Sequence, residues 1–281
     1  MNESSTAPRR SLRSTRVFAG KTVVITGASD GIGAELARQL APKRPRLVLA
    51  ARRVAALDAV ARACEALGAE TLVVTTDVGV EADCARLVAA SIERFGSIDF
   101  LVNNAGVSGH ALFEEVDDFG WYEDMMRVNF FGALWCTRHA LPHLKASRGL
   151  LVGASSLAGK IGVPGRTAYS PSKFAMAGFF EALRTELLET GVDVTLIYPG
   201  VVATGIRRHG YDAAGRPAGV SGLDEASAMP VDVCVRLMIE AMVTRRRELL
   251  MTAKGRLGLW LKLIAPALVD RMARAALAKG R

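Results

Sequence analysis

Short apolar runs alternate with amphipathic stretches along most of this chain. Runs rich in Val, Ile and Leu predict strands at 22–26, 46–51, 71–76, 98–102, 150–154, 192–198 and 248–251. Apolar residues at helical spacing predict helices at 31–41, 54–67, 81–95, 121–145, 168–190 and 231–243. Unbroken apolar strands suit a parallel sheet that is covered on both faces. The alternation therefore predicts an α/β fold, a doubly wound parallel sheet with right-handed crossovers.

The two ends of the chain differ from this alternating body. Residues 1–19 are polar and basic, and we expect them to be mobile. Residues 20–252 are predicted to form a single domain, in which the Gly- and Ala-rich segment 203–229 makes a flexible lid. Residues 253–281 are predicted to form an amphipathic helical extension, because apolar residues recur there near helical spacing.

Three roles for the stretch 256–281 stay open at this point. It is too short and too charged to span a bilayer, but a basic amphipathic helix can lie on an anionic membrane surface. It can equally pack on a partner subunit or cover the active site. Packing is favoured over peripheral membrane contact, because apolar stripes on helices are usually buried.

Composition and charge narrow the classes of function. Half of the 281 residues are apolar, which is enough for a sizeable core. The formal net charge of +8 divides into +3 for residues 1–20, +8 for 244–281 and −3 for the remainder. Because the basic residues belong to the ends and are not interleaved with aromatic residues, we expect no nucleic-acid partner. No apolar run opens the chain, so we expect no signal peptide and a cytoplasmic location, with membrane association as the alternative.

Cysteines and histidines carry no metal-site pattern. The four cysteines fall in predicted helices without ligand spacing, and we interpret them as buried or partly buried thiols in a reducing compartment: Cys64, Cys84, Cys136 and Cys234. His139 and His143 are four residues apart but lack a third ligand. No metal site is predicted.

A glycine-rich turn follows the first predicted strand. Gly27, Gly31 and Gly33 stand between the strand 22–26 and the helix predicted from residue 31. A dinucleotide site requires this order of strand, turn and helix. Glycines let the backbone approach a pyrophosphate, and the helix N-terminus offers free N–H groups to that anion. The spacing is wider than G-x-G-x-x-G, so an ordinary tight turn is the alternative.

Tyr169 and Lys173 are four residues apart in a predicted helix, which puts them on one face. A phenol titrates near 10, and a neighbouring cation lowers that pKa. We therefore expect Lys173 to let Tyr169 exchange a proton near neutral pH. Ser156, at the end of the preceding strand, could donate a hydrogen bond to a substrate oxygen. Alone the pattern is weak, because Tyr-x-x-x-Lys is common on exposed helices.

Together these motifs resemble the short-chain dehydrogenase/reductase family. Its order and spacing are matched from about Lys21 to about Met251 by the turn Thr26–Gly33, Asn103-Asn104-Ala105-Gly106, Asn129, Ser156, Tyr169-x-x-x-Lys173 and Pro199–Thr204. The resemblance implies a Rossmann-like oxidoreductase that transfers hydride between NADP(H) and a carbonyl or secondary alcohol. It implies that Tyr169 protonates the substrate oxygen, Ser156 orients that oxygen, Lys173 also grips the nicotinamide ribose, and Asn129 anchors a proton-relaying water.

The end of the second strand bears on the choice of cofactor. It reads Ala51-Arg52-Arg53, without the acid that would bind the ribose hydroxyls of NAD. Arg52 could instead hold the 2′-phosphate of NADP(H). The alternative is that both arginines are merely solvated at the strand end, and binding of NADP(H) is the favoured interpretation. Asp30 stands where many NADP-using relatives carry a basic residue. We expect Asp30 to face solvent or to cap the helix that begins at Gly31.

The family pattern implies further cofactor contacts. Asp77 and Val78 resemble the pair that meets the adenine, and Val202 and Thr204 resemble the groups that hold the carboxamide. The complete predicted cofactor set is Gly27, Ser29, Asp30, Gly31, Ile32, Gly33, Arg52, Arg53, Asp77, Val78, Asn104, Ala105, Gly106, Tyr169, Lys173, Pro199, Val202 and Thr204.

Substrate and partners follow less directly. By family position, the residues expected to line the substrate pocket are mostly apolar: His110, Val163, Pro164, Val201 and Ile206. Such a pocket predicts a hydrophobic ketone of steroid, sphingoid or acyl type as substrate. Relatives pair through the helices corresponding to 121–145 and 168–190, so the resemblance implies a homo-dimer or homo-tetramer. The alternative is a non-catalytic NADP-binding sensor or scaffold. It is disfavoured because none of Ser156, Tyr169, Lys173 and Asn129 is missing.

Overall fold

The computed structural model of the protein describes residues 16–219, 221 and 228–279. Within these residues seven strands form one parallel sheet. The strands are β1 (Thr22–Thr26), β2 (Arg46–Ala51), β3 (Glu70–Thr75), β4 (Phe100–Asn103), β5 (Leu150–Ala154), β6 (Asp193–Tyr198) and β7 (Glu248–Leu250). Their order is β3-β2-β1-β4-β5-β6-β7, which makes the sheet doubly wound from a switch point between β1 and β4. The predicted fold class is confirmed.

Helices cover both faces of the sheet. They are α1 (Gly31–Leu40), α2 (Val54–Glu65), α3 (Glu81–Phe95), α4 (Gly120–Met126), α5 (Gly132–Ser147), α6 (Tyr169–Glu186), α7 (Val231–Val243), α8 (Ala253–Ile264) and α9 (Pro266–Lys279). In the described part of the chain, none of them combines the length and the apolar character that a membrane crossing requires. Apolar residues of the sheet and helices form two large buried clusters, one on each face. All four cysteines are buried, as predicted.

The single helix predicted over 121–145 is interrupted. Between α4 and α5 lies a turn of π-helix, Arg127–Phe131. Such a turn shifts the helical register locally and often occurs at functional sites. Here it carries Asn129, which is fully buried.

The C-terminal extension also differs from the single helix that the spacing predicts. α8 ends at Ile264 and α9 begins at Pro266. Proline lacks an N–H group and disfavours a helical conformation in the residue before it. Ala265 accordingly has φ −139° and ψ 65°. Lys262 in α8 donates to the backbone oxygen of Lys160 at 3.0 Å, which ties this helix to the loop after β5.

The described residues cover the predicted N-terminal segment and the predicted lid only in part. Phe18 is fully buried, and its ring centroid lies 5.0 Å from that of Phe100, so the core already begins inside the stretch 1–19. Residues 1–15, the greater part of the predicted mobile segment, lie outside the described residues. So do 220 and 222–227, and with them Gly222 of the predicted lid.

Close packing of β5 against α6 positions the site. A Cβ on Gly153 would lie 2.7 Å from the ring of Phe180, which leaves no room for a side chain in the strand. β5 leads directly to Ser156, and α6 begins at Tyr169. The absence of a side chain at Gly153 therefore lets the helix approach the strand closely enough for their functional residues to meet.

Candidate active site

A cavity of about 420 Å³ opens at the carboxyl ends of the strands. Ligands in open α/β sheets bind at this edge, beside the switch point. Every predicted cofactor residue except Gly33 lines the cavity, and so does Ser156. Asn129 lies behind the lining rather than in it.

The glycine turn forms a cradle that side chains would fill. Gly27 has φ +68°, and a Cβ on it would lie 2.8 Å from the Cα of Ala105. A Cβ on Gly33 would lie 2.3 Å from the carbonyl oxygen of Gly27, so Gly33 supports the turn from below. Asn104 Nδ2 donates to the Thr26 oxygen at 2.9 Å and fixes β4 to the same turn. This open turn at a helix N-terminus fits the pyrophosphate of a dinucleotide.

Asp30 caps α1, which is one of the two outcomes that the sequence allows. Its Oδ1 accepts from the Gly31 N–H at 2.7 Å. Its Oδ2 accepts from Arg53 Nη2 at 3.4 Å, an ion pair. The charge that would oppose a phosphate is thus engaged by Arg53. Arg52 lines the cavity, and no described side chain hydrogen-bonds or ion-pairs with it.

Ser156, Tyr169 and Lys173 meet at the inner end of the cavity. The Ser156 hydroxyl accepts from the Ala158 N–H at 3.2 Å and lies close enough to the phenol of Tyr169 to lower the pKa of that phenol. Lys173 Nζ lies 5.9 Å from the centroid of the Tyr169 ring and donates to the Ala154 oxygen at 3.0 Å. The neighbouring Ser155 points the other way and donates to the Lys173 backbone oxygen at 3.1 Å.

Asn129 braces the site from behind. Its Oδ1 accepts from the Val107 N–H at 2.8 Å, and its Nδ2 donates to the Val107 oxygen at 3.0 Å and to Ser172 Oγ at 2.9 Å. A Cβ on Gly106 would lie 2.9 Å from Asn129 Oδ1 and 3.4 Å from Lys173 Nζ. The asparagine and the lysine therefore face the same small space beside Gly106.

Burial changes the expected electrostatics of Tyr169 and Lys173. It raises the pKa of Tyr169, and the cations that oppose this are Arg166 and Arg207, with the Ser156 hydrogen bond acting in the same direction. Burial also lowers the pKa of Lys173 to about 8. The expected lowering of the Tyr169 pKa is therefore wrong: the net shift is upward, and Lys173 is not among the cations that oppose it. The cause is desolvation, which local spacing does not reveal.

Several residues at the site were missed by the sequence analysis. Arg207 and His209 line the cavity, and Arg166 lies against Tyr169. Arg166 precedes Tyr169 by three residues, so the sequence places a cation near the tyrosine. Which way the Arg166 side chain points depends on the conformation of a loop, which the sequence does not reveal. Of the predicted pocket residues only Ile206 lines the cavity. A separate apolar cluster packs beside Tyr169: Ala111, Val116, Trp121, Met125 and Ala168.

The sheet order and the glycine cradle define a dinucleotide-binding fold, and comparisons with known proteins agree. The family model for short chain dehydrogenases matches residues 21–214. The 11-beta-hydroxysteroid dehydrogenase A of Sesamum indicum is 37% identical over 258 residues, which are 90% of this chain and 74% of that protein. The chain therefore belongs to the short-chain dehydrogenase family, whose members are oxidoreductases that act on CH–OH or C=O groups and bind a nicotinamide cofactor.

Solved structures are similar along most of the chain. A short-chain dehydrogenase/reductase from Burkholderia phymatum in complex with NAD has a TM-score of 0.79 and 27% identity, covering 89% of this chain and 95% of that one. The alcohol dehydrogenase from Thermococcus sibiricus complexed with 5-hydroxy-NADP has a TM-score of 0.71 and 25% identity, covering 82% and 94%. The two structures hold different nicotinamide cofactors.

The buried charge of Lys173 predicts a pH-dependent stability. Its folded pKa of about 8 lies below the usual 10.5, so the unfolded chain binds more protons between these values and stability rises with pH there. Lys173→Met removes this term. From pH 7 to pH 11, we expect the unfolding free energy of the wild type to rise relative to that of the variant by on the order of 3 kcal/mol.

Urea unfolding of the nucleotide-free proteins at both pH values measures this change. The exposed Lys145→Met variant is the control and should show little pH dependence relative to the wild type. The Ala154 oxygen loses its donor at every pH, which shifts the Lys173→Met curve without changing its slope. A difference between wild type and Lys173→Met that is constant with pH would contradict the assignment of a desolvated amine.

Proposed function

We propose that this protein is an NADP(H)-dependent carbonyl reductase, or the reverse alcohol dehydrogenase, with Tyr169 as the proton-transferring group. The observation that carries the proposal is the meeting of Ser156, Tyr169 and Lys173 in the cavity that the glycine turn also lines. A sensor or scaffold does not need a phenol, a hydroxyl and an amine at the reactive end of a dinucleotide site.

The proposed chemistry divides between cofactor and protein. The bound nicotinamide supplies or accepts the hydride. Tyr169 gives its proton to the substrate oxygen in reduction, and Ser156 hydrogen-bonds and orients that oxygen. Lys173 holds the nicotinamide ribose, and Asn129 orders the water through which Lys173 exchanges protons with solvent. The family membership supports these roles, and the hydrogen bonds of Asn129 and Lys173 are compatible with them.

The first experiment is Tyr169→Phe. We expect kcat/KM for NADPH-dependent carbonyl reduction to fall by about 10²–10⁴-fold, because a positioned general acid contributes this much. A panel of steroid, sphingoid and acyl ketones and aromatic aldehydes, followed by NADPH absorbance, measures it. Tyr198→Phe removes another buried phenol hydroxyl, outside the cavity, and should keep activity.

Two outcomes would sink this proposal. One is full activity in the Tyr169→Phe variant. The other is a wild-type protein that binds NADPH, as followed by cofactor fluorescence, but reduces no carbonyl in the panel; this result would favour the sensor or scaffold.

NADP(H) is the proposed cofactor rather than NAD(H). Arg52 offers a guanidinium just after β2 that has no hydrogen-bond or ion-pair partner among the described side chains, while Arg53 is engaged by Asp30. A guanidinium matches the shape and charge of a phosphate in a bidentate manner. No acid follows β2 that would bind the two ribose hydroxyls of NAD.

Arg52→Ala tests the cofactor assignment. We expect the ratio of kcat/KM for NADPH over NADH to fall by about 10- to 100-fold, since a hydrogen bond to a charged group contributes about 1.5–3 kcal/mol. Steady-state kinetics with both cofactors measures the ratio. Arg62→Ala, an exposed arginine in α2, is the control and should leave the ratio unchanged. A wild type that prefers NADH, or an unchanged ratio in Arg52→Ala, would contradict the proposal.

The proposed substrate is a hydrophobic ketone. The apolar cluster beside Tyr169, which includes Trp121 and Met125, supports this class. The name of the Sesamum indicum relative, a hydroxysteroid dehydrogenase, points the same way. We further propose a homo-oligomer that pairs along α5 and α6. Phe131, at the end of the π-helical turn before α5, and Phe174 in α6 are 41% and 39% exposed.

For the C-terminal helices we propose contact with an anionic lipid surface. Large apolar side chains on α8 and α9 are exposed rather than packed on the domain: Leu257, Trp260, Leu263, Ile264, Leu268 and Met272. Residues 253–275 carry five cations against Asp270, a net charge of +4. A second copy presenting the same face would bring like charges together, whereas an anionic bilayer attracts them.

Co-sedimentation with vesicles tests the lipid contact. The full-length protein should pellet with phosphatidylserine–phosphatidylcholine vesicles and far less with phosphatidylcholine alone. Leu263→Ser combined with Ile264→Ser should lose pelleting, while Leu188→Ser, an exposed leucine after α6, should keep it. Equal pelleting with neutral vesicles, or none, would refute the contact. A double variant that changes the monomer–oligomer distribution instead would identify a second copy as the occupant.

A further inference from the structure

Arg166 is a buried cation with little around it to balance its charge. The residue is 6% exposed. Its Nη1 donates to Ser108 Oγ at 2.8 Å, and its buried Nε has no hydrogen-bond partner. Arginine is almost never so buried unless it is paired. In the described part of the chain, no carboxylate lies within ion-pair distance of it.

The ionisable neighbours of Arg166 are Tyr169 and Arg207. Its guanidinium carbon lies 5.2 Å from the centroid of the Tyr169 ring. Burial and the charge of Arg207 lower the pKa of Arg166, and the negative form of Tyr169 raises it. The phenolate of Tyr169 is thus the one anion in the described surroundings that this guanidinium meets.

Tyr169 has three cationic neighbours from different elements. Arg166 comes from the loop before α6, Lys173 from the next turn of α6, and Arg207 from the turn after β6. Arg207 is held by the Val202 oxygen and by Ser221 Oγ, at 2.9 and 3.0 Å. Lys173 loses its proton near pH 8, whereas a guanidinium stays charged at every working pH.

We infer that Arg166 is a positioning residue that acts through Tyr169, as the permanent cation that stabilises its phenolate; the inference rests on the proposed reductase function. In reduction the O–H bond of Tyr169 breaks, the proton bonds to the substrate oxygen, and the electron pair stays on the phenolate oxygen. A fixed charge in a buried site stabilises that anion far more than it would in water. In oxidation the same charge favours the deprotonated phenol that accepts the proton.

A purely structural role is the competing explanation. The bond to Ser108 joins the loop after β4 to the loop before α6, and the Ala111 N–H donates to the Gly165 oxygen at 2.9 Å in the same place. A structural role requires the hydrogen bond, whereas the electrostatic role requires the charge. Variants that separate these two properties decide between them.

The experiment compares Arg166→Met, Arg166→Gln, Arg166→Lys and Ser108→Ala in the full chain. We expect Arg166→Met and Arg166→Gln to move the ionisation in the kcat/KM pH profile upward by about 1–2 pH units, the size of effect expected from losing a nearby opposite charge. Arg166→Lys keeps a cation and should bring the profile most of the way back to that of the wild type. Ser108→Ala keeps the charge and should leave the profile in place. Arg166→Gln keeps a hydrogen-bond donor, so it answers the question if Arg166→Met does not fold.

Ultraviolet difference titration of tyrosinate supplies a readout that needs no substrate, with Tyr169→Phe as the blank. If the wild type reduces no carbonyl but the tyrosinate titration still differs between the wild type and Arg166→Gln, the proposed function is overturned and the electrostatic coupling stands. A folded Arg166→Gln variant with the wild-type profile and titration would overturn the inference alone. So would a Ser108→Ala variant that shifts both as much as Arg166→Gln does.

Discussion

The close packing of α6 on β5 is the constraint on which the site depends. Gly153 leaves room for Phe180, and the strand and helix are then joined by two buried hydrogen bonds, from Lys173 Nζ to the Ala154 oxygen and from Ser155 Oγ to the Lys173 oxygen. These contacts fix the helix in position along the strand. Ser156 and Tyr169, thirteen positions apart in the chain, consequently line the same cavity.

The same packing has an electrostatic cost. Burial disfavours the charged forms of both Tyr169 and Lys173, which raises the pKa of the phenol and lowers that of the amine. In a reductase, a phenol that keeps its proton until the substrate oxygen becomes basic is a suitable acid. In the proposed mechanism, the cations around Tyr169 then stabilise the anion that it leaves behind, because charges interact strongly in a low-dielectric interior.

At the glycine turn, the negative charge of Asp30 is balanced by an ion pair with Arg53. Asp30 caps α1 and binds Arg53, so the glycine turn keeps its helix cap without presenting a free carboxylate. Arg52 remains available at the cavity edge. The charge of Asp30, which departs from the family's common pattern in the glycine turn, is thus paired with Arg53, which follows the next strand twenty-three positions away.

The sequence alone determined the alternation of strands and helices, the glycine turn, and the shared helical face of Tyr169 and Lys173. These features depend on residues close together in the chain, and their spacing expresses the local geometry directly. Almost all of the residues to which the family's spacing pattern pointed as cofactor contacts line the cavity.

Only the tertiary structure decided the π-helical turn at Asn129, the direction of the Tyr169 pKa shift, the ion pair of Asp30 with Arg53, and the place of Arg166 beside the phenol. Each depends on burial or on contacts between separate elements. Local spacing carries no information about how much water a group loses on folding, and desolvation sets the direction of the Tyr169 pKa shift.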